Sequence, residues 1–79
     1  MNDKLIIILA EVFNLKSEKV QVELLKEDVS SWDSLKQMDL VTTLESEYSI
    51  SFEITDIIQM NSVRSIVDVL ISKGVNFDN

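Results

Sequence analysis

The run from Ser34 to Tyr48 contains neither glycine nor proline, and it spaces its apolar residues as only a helix can use them. At about 100° per residue, as 3.6 residues per turn requires, Leu40, Val41, Leu44 and Tyr48 fall on one face. That face has to be buried. Leu35 and Met38 do not join it; they lie on another side, among Ser34, Asp39, Thr42, Glu45 and Ser46. The helix therefore has a core stripe and a second stripe that mixes apolar with acidic residues. Asp33 or Ser34 can cap its start, and Ser34 with Gln37 has the spacing of a capping box.

A chain of 79 residues barely supplies one hydrophobic core, so the other apolar segments must pack against this helix. The sequence is read as a single domain, 1–79. Leu5–Phe13 places Leu5, Ile8, Leu9 and Val12 at helical spacing, with Asn2 or Asp3 available as cap. Ser62–Lys73 reads as a further helix: Ser62 is its cap, Val63, Ile66, Val67 and Leu70 form its stripe, and Gly74 follows where a left-handed residue belongs. Ile54–Met60 supplies one or two turns. From Asn14 to Asp33 the pattern is weak. Val20, Val22 and Leu24 alternate like a strand without an evident pairing partner, and Leu24, Leu25 and Val29 are the expected anchors. The expected fold is all-α: a small four-helix bundle of three longer helices and a short third one, with a long loop between helices 1 and 2. Its expected core is Leu5, Ile8, Leu9, Val12, Leu40, Val41, Leu44, Phe52, Val63, Ile66, Val67 and Leu70.

Function is bounded first by what is missing. The sequence has no histidine and no cysteine, which removes the usual general base, thiol nucleophiles and thiolate metal sites. One glycine and no proline leave no phosphate-cradling glycine loop. So small a domain lacks room for an ordinary catalytic cleft. A net charge of −7 repels nucleic acid and anionic membranes and suits partners with basic docking surfaces. The apolar run from Leu5 to Ala10 is too short to span a bilayer and lacks the flanks of a signal peptide. A cytoplasmic monomer, not an enzyme, with no bound metal and no membrane insertion, is expected. No basic residue occurs between Lys36 and Arg64, whereas Asp39, Glu45, Glu47, Glu53 and Asp56 all do. With the second stripe of the Ser34 helix, that interval reads as a docking face made of Leu35, Met38, Asp39, Thr42, Glu45 and Asp56.

Asp33-Ser34-Leu35 at the head of an acidic helix near mid-chain resembles the phosphopantetheine attachment motif of acyl and peptidyl carrier proteins. A bare Asp-Ser-Leu is ordinarily only an N-cap, but here the similarity continues. Leu40-Val41 and Leu44-Glu45 recur at the family's spacing, and Ile50-Ser51-Phe52-Glu53 resembles the segment after its second helix. Asp56 falls in the short third helix, and Asn61-Ser62-Val63 with Ile66 and Leu70 resembles the last one. The resemblance implies a 4'-phosphopantetheine arm, transferred from coenzyme A to the Ser34 hydroxyl by a phosphopantetheinyl transferase with Mg²⁺. Asp33 and Leu35 would flank the arm, and acyl groups would ride on its thiol as thioesters between acyl-loading and acyl-processing enzymes. The local field agrees, because backbone N–H groups at a helix start favour a phosphate.

Lys36 stands where fatty-acid carriers are commonly acidic, and Thr42 where they often carry a larger apolar residue. Ser30-Ser31-Trp32 replaces a glycine-containing approach. Trp-Asp-Ser-Leu is thus more similar to stand-alone carriers of specialised fatty-acid, polyketide or other acyl pathways. A peptidyl or aminoacyl carrier, and an unmodified acidic adaptor that binds a basic partner, stay open on the sequence.

Overall fold

The computed structural model describes residues 2–77. Its helices are α1 (Asp3–Phe13), α2 (Ser34–Tyr48), α3 (Ile54–Gln59) and α4 (Val63–Ser72), with single 3-10 turns at Ser17–Lys19 and Lys26–Asp28. Among the described residues the only β pairing is an isolated bridge between Leu25 and Ser62. The all-α four-helix architecture is the one the apolar periodicity implies.

The three longer helices each start where a side chain takes up their first N–H groups. Asn2 accepts from Lys4 and Leu5, Asp33 from Lys36, and Ser62 from Ser65. Gly74 takes the positive φ of +93° expected beyond α4. The capping box proposed for Ser34 and Gln37 does not form. Asp33 is the cap, and Gln37 turns into the interior at 8% exposure.

Ten of the twelve expected core positions are buried. Phe52 and Val67 are only partly buried and pack against the core from its edge. Phe13, Val20, Val29, Trp32, Met60 and Val69 join it instead. Val69 is buried in place of Val67 on α4, the helix against which α3 lies.

The long connection between α1 and α2 is held both by its own short turns and by bonds to distant parts of the chain. The carbonyls of Val22 and Leu24 accept from Arg64 N–H (3.1 Å) and Val63 N–H (2.9 Å), and Lys26 N–H donates to the Asn61 carbonyl (2.9 Å). The strand-like alternation thus has a partner after all, the start of α4, whose first N–H groups have no acceptor within their own helix. At the far end Trp32 stacks on Phe13 with centroids 4.3 Å apart, and the Ser31 hydroxyl donates to the Phe13 carbonyl at 2.8 Å. Val29 anchors the loop as expected. Leu25 does not, at 41% exposure, because Leu24 points inward and successive side chains of extended backbone point to opposite sides.

Candidate functional site

Ser34 is the first residue of α2 and is exposed. Asp33 caps the helix, its Oδ1 accepting from Lys36 N–H at 2.9 Å while its carbonyl accepts from Gln37 N–H at 2.8 Å. The serine hydroxyl is therefore not used to hold the helix start. Four of the other serines are committed: Ser31 to Phe13, Ser62 and Ser65 to each other, and Ser72 to the Val69 carbonyl. Among the described residues nothing accepts from the N–H groups of Ser34 and Leu35, so a phosphate on this hydroxyl would meet free donors at the positive end of a fifteen-residue helix. The residues present fit a phosphodiester-linked group.

The segment leading into the serine is fixed by packing. Trp32 is 4% exposed, and its indole N–H donates to Gln37 Oε1 at 2.6 Å. Gln37 Nε2 donates in turn to the carbonyls of Ile57 (3.0 Å) and Met60 (3.1 Å) at the end of α3. The sequence reading missed both residues. The signal was present, since the projection that gathers Leu40, Val41 and Leu44 puts Gln37 in their midst, and a polar residue there needs buried partners.

The residues grouped as a docking face do not share one role. Leu35 is 82% and Met38 52% exposed, and Asp39 and Thr42 are exposed beside them, the Thr42 hydroxyl donating to the Asp39 carbonyl. Glu45 is half-buried and its carboxylate accepts from Phe52 N–H at 2.9 Å, which ties the exit of α2 back onto the helix. Asp56 is engaged in bracing rather than free. Its carboxylate meets Lys73 Nζ at 2.7 Å and accepts from Glu53 N–H, bracing α3 against the end of α4. The structure adds two apolar residues that the sequence reading passed over, Ile54 (76% exposed) and Ile58 (71%) on one side of α3. Their i, i+4 spacing was the available signal.

The Asp56–Lys73 pair has a pH consequence. Hydrogen bonding to Lys73, then to Glu53 N–H, holds the Asp56 carboxyl below its ordinary value, and the same bond raises Lys73 above its own. A lowered acid stabilises the fold above its unfolded value and loses that contribution as pH falls through its folded value. A raised lysine stabilises below its unfolded value and loses that as pH rises through its folded value. Urea unfolding of Asp56→Asn against pH should show a shallower loss of stability than wild type below the ordinary aspartate value of 3.8. Parallel curves would mean that the pair contributes nothing. Tyr48 is also raised, first by burial and then by the charge of Glu47.

A free serine at a helix start capped by its neighbour, flanked by exposed apolar and acidic side chains, is an arrangement that suits covalent attachment of a group. Residues 3–70 match the family defined by its phosphopantetheine attachment site. The chain belongs to this family of acyl carrier proteins; it is a non-catalytic carrier domain, and covalent phosphopantetheine is its cofactor. It is similar to the solution structure of a holo acyl carrier protein from Geobacter metallireducens, with a TM-score of 0.79 and 31% identity over 90% of this chain and 82% of that one. No curated protein matches it by sequence. Among the described residues no helix is long and apolar enough to cross a membrane.

Proposed function

We propose that this chain carries acyl groups as thioesters on a phosphopantetheine arm attached at Ser34, and presents them to enzymes with basic docking surfaces in a specialised acyl pathway. The observation that carries this reading is the exposed Ser34 hydroxyl, relieved of capping by Asp33. In the transfer, Ser34 Oγ gives up its proton to the transferase and becomes the bridging oxygen of a phosphodiester, as the pyrophosphate bond of coenzyme A breaks and adenosine 3',5'-bisphosphate leaves. The arm, when bound, supplies the thiol that forms thioesters. This chain contributes the nucleophilic oxygen, the N–H groups of Ser34 and Leu35 toward the phosphate, and a rigid start to α2. Incubation with coenzyme A, Mg²⁺ and a transferase should raise the intact mass by one phosphopantetheinyl group; no gain with several transferases would favour an unmodified adaptor.

A partner that reaches Ser34 passes over Leu35, Met38, Asp39 and Thr42. Exposed ion pairs add only about 0–1 kcal/mol each, so acidic groups here act mainly by steering encounter. Asp39→Lys is the clean charge reversal, because Glu45 also holds Phe52 N–H. It should slow modification of Ser34 more at low salt than at high salt, while Met38→Ala should weaken binding with little salt dependence. Lys36→Asp should improve use by a primary fatty-acid synthase and impair use by the chain's own enzymes. Transferase and synthase kinetics across a salt series read all three, and equal rates throughout would make the stripe a merely solvated face.

A further inference from the structure

Gln37 sits three residues after Ser34, on the buried side of the same helix turn, and its amide oxygen and both amino hydrogens are bonded, to the segment before α2 on one side and to the end of α3 on the other. Its Oε1 accepts from Trp32 Nε1 at 2.6 Å, and its Nε2 donates to the carbonyls of Ile57 at 3.0 Å and Met60 at 3.1 Å. The amide can sit only this way round. An indole N–H can only donate and a carbonyl can only accept, so a flipped amide would lose all three bonds. One face of this group holds the segment that enters Ser34, and the other holds the last turn of α3.

α3 has six residues, too few to persist as a helix on its own account. Its position depends on outside ties: the packing of Ile57 and Met60 against the core, the Asp56–Lys73 pair near its start and Gln37 at its end. Trp32 stacks on Phe13, but its indole N–H is buried with it at 4% exposure and has the Gln37 oxygen as its partner. A shift of α3 that draws on the amino group therefore also moves the oxygen on which Trp32 rests, and Trp32 is two residues from Ser34.

We propose that Gln37 is a positioning residue that holds the Ser34 attachment segment in register with α3, so that the two move together. Ordinary burial of a satisfied amide would lower stability when lost but would not link these two places.

Three variants of the full-length apo protein separate the links. Gln37→Met keeps the length and loses every bond. Gln37→Glu keeps the acceptor for the indole and puts a carboxylate against two carbonyls. Trp32→Phe keeps an aromatic ring against Phe13 and removes the donor together with part of the buried ring volume, so loss of α3 protection counts only beyond the accompanying loss of global stability. The chain has a single tryptophan, so one indole N–H resonance reports the Trp32 bond directly, and amide hydrogen exchange reports α3. In Gln37→Met the indole resonance should lose its hydrogen-bonded shift, and α3 protection should fall about tenfold, the equivalent of a hydrogen bond or two. In Gln37→Glu the indole shift should stay while α3 protection falls. In Trp32→Phe, α3 protection should fall by several-fold although the bonds from Gln37 to α3 are untouched by the change. For modification of Ser34, kcat should drop most in Gln37→Met with KM within about twofold of wild type, and Gln37→Glu should recover part of it. The kinetic arm rests on Ser34 as the attachment site; the exchange arm does not, so the two can fail separately. Unchanged α3 protection in Trp32→Phe, or losses spread evenly over the chain in proportion to global stability, would overturn the proposal.

Discussion

Ser34→Ala should abolish phosphopantetheinylation outright and leave the fold intact. The loss is total because the modified atom itself is removed, and because no other serine heads an α-helix within an Asp-Ser-Leu sequence. The Ser31 hydroxyl is held by the Phe13 carbonyl, and Ser62 and Ser65 close the start of α4. The fold survives because Asp33, not Ser34, caps α2, and alanine is the best helix former at the vacated position. Stability should stay within about 0.5 kcal/mol of wild type, as for a surface change that removes no cap and no core contact. Intact mass after transferase treatment reads the first outcome and urea unfolding the second. Residual mass gain in the alanine variant would move the attachment site to another serine. A large loss of stability would mean that the hydroxyl does structural work.

The largest effect on stability should come from Leu44→Ala and Ile66→Ala. Both side chains are fully buried, one on the core face of α2 and the other on α4, so each truncation leaves a cavity between helices. The expected cost is about 2–5 kcal/mol apiece. Against a total of roughly 5–15 kcal/mol for a natural domain, and less for one this small, either change leaves a substantial unfolded population. Val67→Ala should cost clearly less, because that side chain stays partly exposed at the core's edge. Leu35→Ala, at 82% exposure, should be almost silent in unfolding while weakening partner binding. Denaturant midpoints for the four variants rank them directly. A Leu44→Ala midpoint near that of wild type would show that the apolar faces of α2 are assigned wrongly.

The contrast between Leu44 and Leu35 was legible before any coordinates, because helical period is a local property. Side chains three and four apart share a face whatever the rest of the chain does. That period, with Asp33 or Ser34 as the available cap, determined α2 from Ser34 to Tyr48, its buried face and its exposed one. The same local logic determined the end of α4 at Gly74 and the cap at Ser62, as well as the resemblance through which the family was recognisable.

Tertiary structure alone decided the features whose partners are far away in sequence. Val22 and Leu24 look like a strand without a mate until the N–H groups of Val63 and Arg64, some forty residues on, are seen to take their carbonyls. Trp32 is core only because Phe13 stands under it. Asp56, one of a run of acidic residues by composition, is separated from the rest because Lys73 comes within 2.7 Å of it. Gln37 looks like half of a capping box from its neighbours in sequence, but the donor at Trp32 and the acceptors at Ile57 and Met60 draw it inside. A helix face depends on residues within a turn or two, whereas burying a polar group depends on a partner that only the packed chain brings near.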